Sequence, residues 1–149
     1  MMLPNIGIRH MQLYPCSNLP KYMLDFAQFC CDEIGLSTLR GNVFLNLKRG
    51  SIESDSYGIT WGDDREVTVL IASHQFGAPI SREDKLKTIA HELVHAHQLL
   101  TRKMRDIDFV QTVVWEGERV SSEVDRVDPW EVDAVAAESV LFEAWKVRV

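Results

Sequence analysis

Five residues, His91-Glu92-Leu93-Val94-His95, constrain this chain more than any other feature in it. On an α-helix, residues four apart lie about 40° from one another around the axis, so two imidazoles at that spacing face the same way and can grip one ion. Glu92 stands between them, placed to hold and deprotonate a water on that ion. With five histidines in 149 residues, the pattern arises by chance in about one such chain in a hundred. It is the pattern of a zinc-dependent hydrolase, most often a peptidase; the competing reading is a surface helix that carries two unrelated histidines.

The surroundings are helical. Ser81 followed by Asp84 forms a capping box with Asp where Glu is usual, and Glu83 and Asp84 bring acids into the first turn. Leu86, Ile89, Ala90, Leu93, Val94 and Leu100 then recur at three- and four-residue steps, which predicts a helix from Ser81 to Lys103. A metzincin would continue with Gly at position 98 and His at 101; this chain has Gln98 and Thr101, so that class is excluded. A catalytic zinc usually keeps three protein ligands, so a third must come from elsewhere. His97 lies about 120° around the helix from His91 and reads as solvent-facing or as a partner to a ligand. Gln98, seven residues after His91, shares its face and suits hydrogen-bonded support of the site.

The stretch Asp128-Pro129-Trp130-Glu131-Val132-Asp133-Ala134 through Glu138 is the better source of a third ligand. Asp128 can cap a helix and Pro129 suits its first turn. On that helix Glu131 and Glu138 share a face while Asp133 points almost the opposite way. Glu131 is the first choice, with Glu138 in reserve or as a partner for a ligating histidine. Spacing alone leaves a second reading open: Glu131 stands three residues after Asp128, where a capping-box glutamate belongs.

His91-Glu-Leu-Val-His95-Ala-His-Gln98, then Trp115-Glu-Gly117, then Pro129-Trp130-Glu131-Val-Asp-Ala134 together resemble a group of small phage and bacterial zincin-like proteins. These carry H-E-x-x-H-x-x-Q, a W-x-G segment and P-W-E-x-E-A, and are described as SprT-like or as metallopeptidases. The last segment is also similar to the third-ligand helix of ImmA/IrrE-type peptidases. The resemblance covers residues 57–145, the first motif being specific and the others less so. It implies Glu131 as third ligand to a zinc ion, beside His91 and His95. Two departures stand out: Asp133 replaces the usual second Glu, and SprT proteins proper use a third histidine that nothing downstream of His97 supplies.

Composition agrees with one globular domain over residues 1–149. The net charge of −6 argues against non-specific nucleic-acid binding, and Arg102, Lys103 and Arg105 read as a solvated helix end. Three cysteines cannot all pair; adjacent Cys30 and Cys31 on an apolar helical stretch suggest reduced thiols and a cytoplasmic setting. The first twenty residues have neither the apolar run nor the cleavage pattern of a secretory signal, and no stretch is long enough for a membrane span.

Along the chain, spacing predicts a helix over Leu19–Gly35 and strands over Gly41–Lys48, Tyr57–Trp61 and Glu66–Ser73. A turn at Gly62-Asp63-Asp64 and a loop with Gly77 and Pro79 follow from composition, as do a less regular region over Asp106–Arg126 and the C-terminal helix. This order suits an α+β fold of minimal zincin type, a small and mainly antiparallel sheet flanked by helices, with Glu66–Ser73 as the edge strand along which a peptide could add. The four tryptophans read as core, and Trp115-Glu-Gly117 as a turn or short strand near the cleft. Glu92 would act as general base in peptide hydrolysis, with Tyr57, His74 or Arg102 as candidate oxyanion donors. The alternative is a non-catalytic binding or virion-associated protein on the same scaffold. A peptide or protein is the expected partner, with no membrane and no nucleic acid.

Overall fold

The computed structural model describes residues 10–53, 55–107, 112–121 and 128–148. Its main sheet has four strands, Met11–Pro15 (β1), Gly41–Lys48 (β2), Gly58–Gly62 (β3) and Glu66–Ala72 (β4), in the order β1-β2-β4-β3. β1 runs parallel to β2, and β2 parallel to β4; only β3 is antiparallel, to β4. The expectation of a mainly antiparallel sheet is therefore overturned for this sheet. For β1 and β2 the physical reason is the helix Lys21–Glu33 (α1), which carries the chain back over the sheet, as parallel neighbours require; β2 and β4 are parallel because the chain first runs the opposite way through β3 on the far side of β4. β1 falls in a stretch where spacing alone assigned no element; it is only five residues long.

Alternation along the strands divides the sheet into two faces. Val43, Leu45, Val67, Val69 and Ile71 are fully buried and meet the helices, while Phe44, Thr68 and Leu70 turn the other way and are half-buried. The inner face packs against Met23, Phe26, Ala27 and Cys30 of α1 and against Leu86, Ile89, Ala90 and Leu93 of the helix Arg82–Leu100 (α2). Ser81 caps α2, its hydroxyl accepting from the Asp84 N–H at 3.1 Å, as the sequence predicts. Pro129–Val147 forms the last helix (α3), which packs along α2 and adds Trp130, Leu141 and Phe142 to the same core. One core thus holds all three helices against one face of the sheet. Trp130 and the half-buried Trp115 and Trp145 belong to or pack against it, but Trp61 does not, lying 46% exposed on the outer face of β3.

Two smaller antiparallel sheets complete the described residues. His74–Gln75 (β5) pairs with Ala78–Pro79 (β6), and Met104–Ile107 (β7), Thr112–Trp115 (β8) and Glu118–Ser121 (β9) form a three-stranded sheet. The region expected to be irregular over 106–126 is therefore partly strand; positions 108–111 and 122–127 lie outside the described residues. Glu116 and Gly117 make the two-residue turn between β8 and β9, both with positive φ (50° and 86°), the combination of a type I′ hairpin.

The edge strand also differs from expectation. β4 has a neighbour on each side, so it is interior, and β3 is the edge beside α2. Val67, Val69, Ile71 and Ala72 of β4 are fully buried, as suits an interior strand, whereas a short, half-exposed β3 suits an edge. A proline within Val67–Ile71 would accordingly break the sheet rather than report on a docked peptide. β3 approaches α2 closely because Gly58 has no side chain: a Cβ there would lie 2.7 Å from Thr88 Cγ2, 3.0 Å from Glu92 Cγ and 3.2 Å from the Leu70 carbonyl oxygen.

The three cysteines are free thiols, Cys30 and Cys31 buried, and burial, reinforced by Cys31 and Glu33, pushes the Cys30 thiol pKa up, which makes it inert packing rather than a nucleophile. Among the described residues no helix is long and apolar enough to cross a membrane.

Substituting Gly58→Ala should cost about 1–3 kcal/mol, because both the strand and the helix must give way. Urea denaturation checks this; a stability equal to that of the parent protein would contradict the close approach of β3 to α2.

Candidate metal centre

The helical spacing of His91 and His95 delivers what it promises: both Nε2 atoms project from α2 into one cleft and lie 3.3 Å apart. α3 crosses above them and brings Glu131 down, its Oε2 at 3.2 Å from His91 Nε2 and its Oε1 at 2.5 Å from His95 Nε2. The carboxylate of Glu131 faces the histidines rather than the helix start at Asp128, so it stands where a ligand to a shared ion would. Ligand atoms of His91, His95 and Glu131 all lie within 4.8 Å of one another.

The outer nitrogens are held as well. His91 Nδ1 is 2.9 Å from Glu138 Oε2, and His95 Nδ1 is 2.8 Å from Gln98 Oε1. A carboxylate accepts only, so His91 must donate from Nδ1. Gln98 Nε2 donates to the Trp130 carbonyl at 3.0 Å, which turns its oxygen toward His95 and makes that histidine a donor too. Both Nε2 atoms are thereby directed into the same small space. Without a cation both Nε2 atoms carry protons that they donate to Glu131; with those protons gone the two lone pairs and the carboxylate form a donor set that fits a metal. Four ligands about 2.0–2.1 Å from a tetrahedral zinc stand about 3.3 Å from each other; the His91–His95 and His91–Glu131 separations of 3.3 and 3.2 Å match this, while His95–Glu131 is shorter, at 2.5 Å.

Electrostatics show how strongly these groups are coupled. Burial opposes charge on His91, but the hydrogen bond to Glu131, the charge of Glu92 and the bond to Glu138 outweigh it and raise its pKa to about 9. His95 moves the same way: burial opposes the shift, and Glu131 and Gln98 bring it about. Hydrogen bonds from His91 and His95 hold Glu131 well below the usual carboxylate range.

Glu92 is buried in the floor of the same cleft, a cavity of about 500 Å³. The Thr60 hydroxyl lies 2.6 Å from its Oε1 and 3.2 Å from its backbone oxygen. Burial raises the pKa of Glu92, opposed by the Thr60 hydrogen bond and the charges of His95 and His91. Thr60 and Gly58, both on β3, were not singled out by sequence. A threonine and a glycine in a five-residue strand carry no spacing signal, and only their position over α2 gives them a role.

The remaining candidates separate cleanly. Tyr57 lines the cleft. His74 does not; its Nδ1 lies 2.7 Å from Ser73 Oγ. Arg102 faces Asp64 at 3.8 Å and lines a different cavity. His97 is half-buried outside the cleft, its pKa lowered by burial and by Lys103. Asp133 turns away, toward Lys103 at 3.3 Å. Trp115 sits near the site only indirectly, its ring 6.1 Å from that of Trp130.

Set against known protein families, curated proteins and solved structures, the chain matches none.

Two outcomes follow. Gln98→Leu should weaken zinc affinity about 10–100-fold, as loss of such an orienting partner does elsewhere; competition with a chromogenic chelator checks it. In protein stripped with a chelator, the raised His91 pKa stabilises the fold fully below pH 6.5, and that contribution is lost as pH rises through about 9. The melting temperature of the stripped protein should therefore fall across that window, and added zinc should abolish the dependence.

Proposed function

We propose that the protein is a zinc-dependent metallopeptidase, His91, His95 and Glu131 holding the ion and Glu92 acting as general base. One observation carries this reading: two imidazoles and a carboxylate converge on one point in a cleft whose floor holds a buried glutamate. A zinc ion there supplies Lewis acidity, lowering the pKa of a water toward about 7 and polarising a peptide carbonyl.

The chain's own residues do the rest. Glu92 Oε1 is engaged by the Thr60 hydroxyl, which leaves Oε2 to take a proton from the attacking water and pass it to the leaving amine. Burial raises its pKa while Thr60 and the histidines oppose the rise, and a raised carboxyl pKa suits a group that must both accept and release a proton. Tyr57, on the cleft wall, is the oxyanion donor in this scheme. The free edge of β3 offers backbone groups to an extended peptide, fixing its path past Glu92. Net charge of −6 and three cysteines, none of them disulfide-bonded, favour a peptide over nucleic acid as substrate and a reducing compartment such as the cytoplasm. Glu92, buried and already held by a hydroxyl, favours catalysis over a binding role on the same scaffold.

Glu92→Gln should lower peptide hydrolysis about 10²–10⁴-fold, the worth of a positioned general base, with metal content unchanged. Mass spectrometry of a mixed peptide library incubated with zinc-loaded protein reads this out, and full activity in the variant would sink the assignment. Thr60→Val removes a hydrogen bond that lowers the Glu92 pKa. The acid limb of the rate profile should accordingly move to higher pH; an unmoved limb would contradict Glu92 as the titrating base.

A further inference from the structure

A second cavity, of about 540 Å³, lies beside the metal cleft, and buried Met104 lines both. Three guanidinium groups border it, those of Arg102, Arg105 and Arg119. Arg105 pairs with Val114 across β7 and β8, and Val114 with Arg119 across β8 and β9. The two arginines therefore flank one apolar residue on the same face of the small sheet, their Cα atoms about 10 Å apart. Side chains of that length converge easily on one small anion. Arg102 is held at a φ of 63° just after α2, a left-handed position where glycine is the usual occupant.

Asp63 and Asp64 also line the cavity, but both are engaged away from Arg105 and Arg119. Asp63 Oδ1 accepts from the Arg65 and Glu66 N–H groups, at 2.8 and 2.9 Å. Asp64 faces Arg102 at 3.8 Å. Among the described residues, Arg105 and Arg119 have no hydrogen-bonded or ion-paired partner. Arg105 and Arg119, two like charges at one concavity, repel one another unless an anion joins them.

We infer that this cavity is a subsite for an acidic side chain of the peptide substrate. The inference rests on the peptidase reading of the neighbouring cleft. Residues Gly58 to Thr60 of β3 border the metal cleft, and Gly62 to Asp64, next along the chain, border the arginine cavity. A peptide extended beside β3 advances about 3.3 Å per residue, so the carboxylate would belong to a residue about two to four positions from the bond cleaved.

The test uses zinc-loaded protein and neutral Ala/Ser peptides carrying a hydroxamate at either end, with Glu placed one to five residues from it. Calorimetry gives each affinity. One offset of about two to four residues should tighten binding about five- to tenfold at low salt, as charge-assisted bonds to exposed arginines do, and the gain should shrink as salt is added. Arg105→Ala combined with Arg119→Ala should erase that gain and leave the neutral hydroxamate unchanged. Arg119→Glu should turn the preference from Glu toward Lys at the same offset, which decides the matter if the double variant fails to fold. No gain at any offset, or a gain that survives both substitutions, overturns the inference. If the neutral hydroxamate does not bind at all, the peptidase reading fails separately. The cavity is then judged by NMR of arginine Nε–H groups titrated with a tri-glutamate peptide: shifts at Arg105 and Arg119 support it, and their absence overturns it.

Discussion

His91 and His95 point their Nε2 atoms at each other across 3.3 Å while their Nδ1 atoms are committed elsewhere, to Glu138 and Gln98. That arrangement needs either a cation shared by the two nitrogens or protons on both that Glu131 accepts, and much of the structure serves to maintain it. Gln98 reaches from α2 to the Trp130 carbonyl, and Glu138 reaches from α3 to His91. The polar contacts that orient the two imidazoles are thus the ones that tie α3 to α2. Around them Leu93, Ala134 and Leu141 are buried, so displacement of either helix would disturb apolar packing and the His91–His95–Glu131 cluster together. This is why the functional face of α2 can be polar without loosening the fold: each polar group on it has a partner.

The cleft has a division of labour that follows from topology. α2 supplies the paired imidazoles and Glu92, α3 the carboxylate, and β3 the hydroxyl over Glu92. α1 and α2 pack in one core on the buried face of the sheet, and the antiparallel β3 is the edge beside the site. Gly58 closes the remaining distance. Where β3 ends, the turn at Asp63 and the small sheet carrying Arg105 and Arg119 give the neighbouring cavity a basic wall on an otherwise acidic molecule.

Much of this was legible from spacing. The imidazole pair, the supporting Gln98 and the common face of Glu131 and Glu138 all follow from helical periodicity, because each relation lies within one helix. Geometry between helices was not legible: spacing left Glu131 divided between a capping role and a ligand role, and only the approach of α3 to α2 places its carboxylate at both histidines. The sheet was misread for a related reason. Strand direction depends on the crossover through α1, and β1 is too short to announce itself. Val67, Val69 and Ile71 on one side mark Glu66–Ser73 as a strand, but that alternation says which face is buried and not whether the strand lies at an edge. Thr60, Gly58 and the arginine trio gain meaning only from contacts made across elements, which no local pattern encodes.

The central claim is a metal held by two residues of α2 and one of α3, and elemental analysis of protein purified without added metal tests it most directly. About one zinc per chain in the parent protein, and loss of it in both His91→Ala and Glu131→Ala, is the predicted result for a site with two imidazoles and one carboxylate. No metal in the parent protein even after zinc is supplied, or metal retained in both variants, would contradict the account.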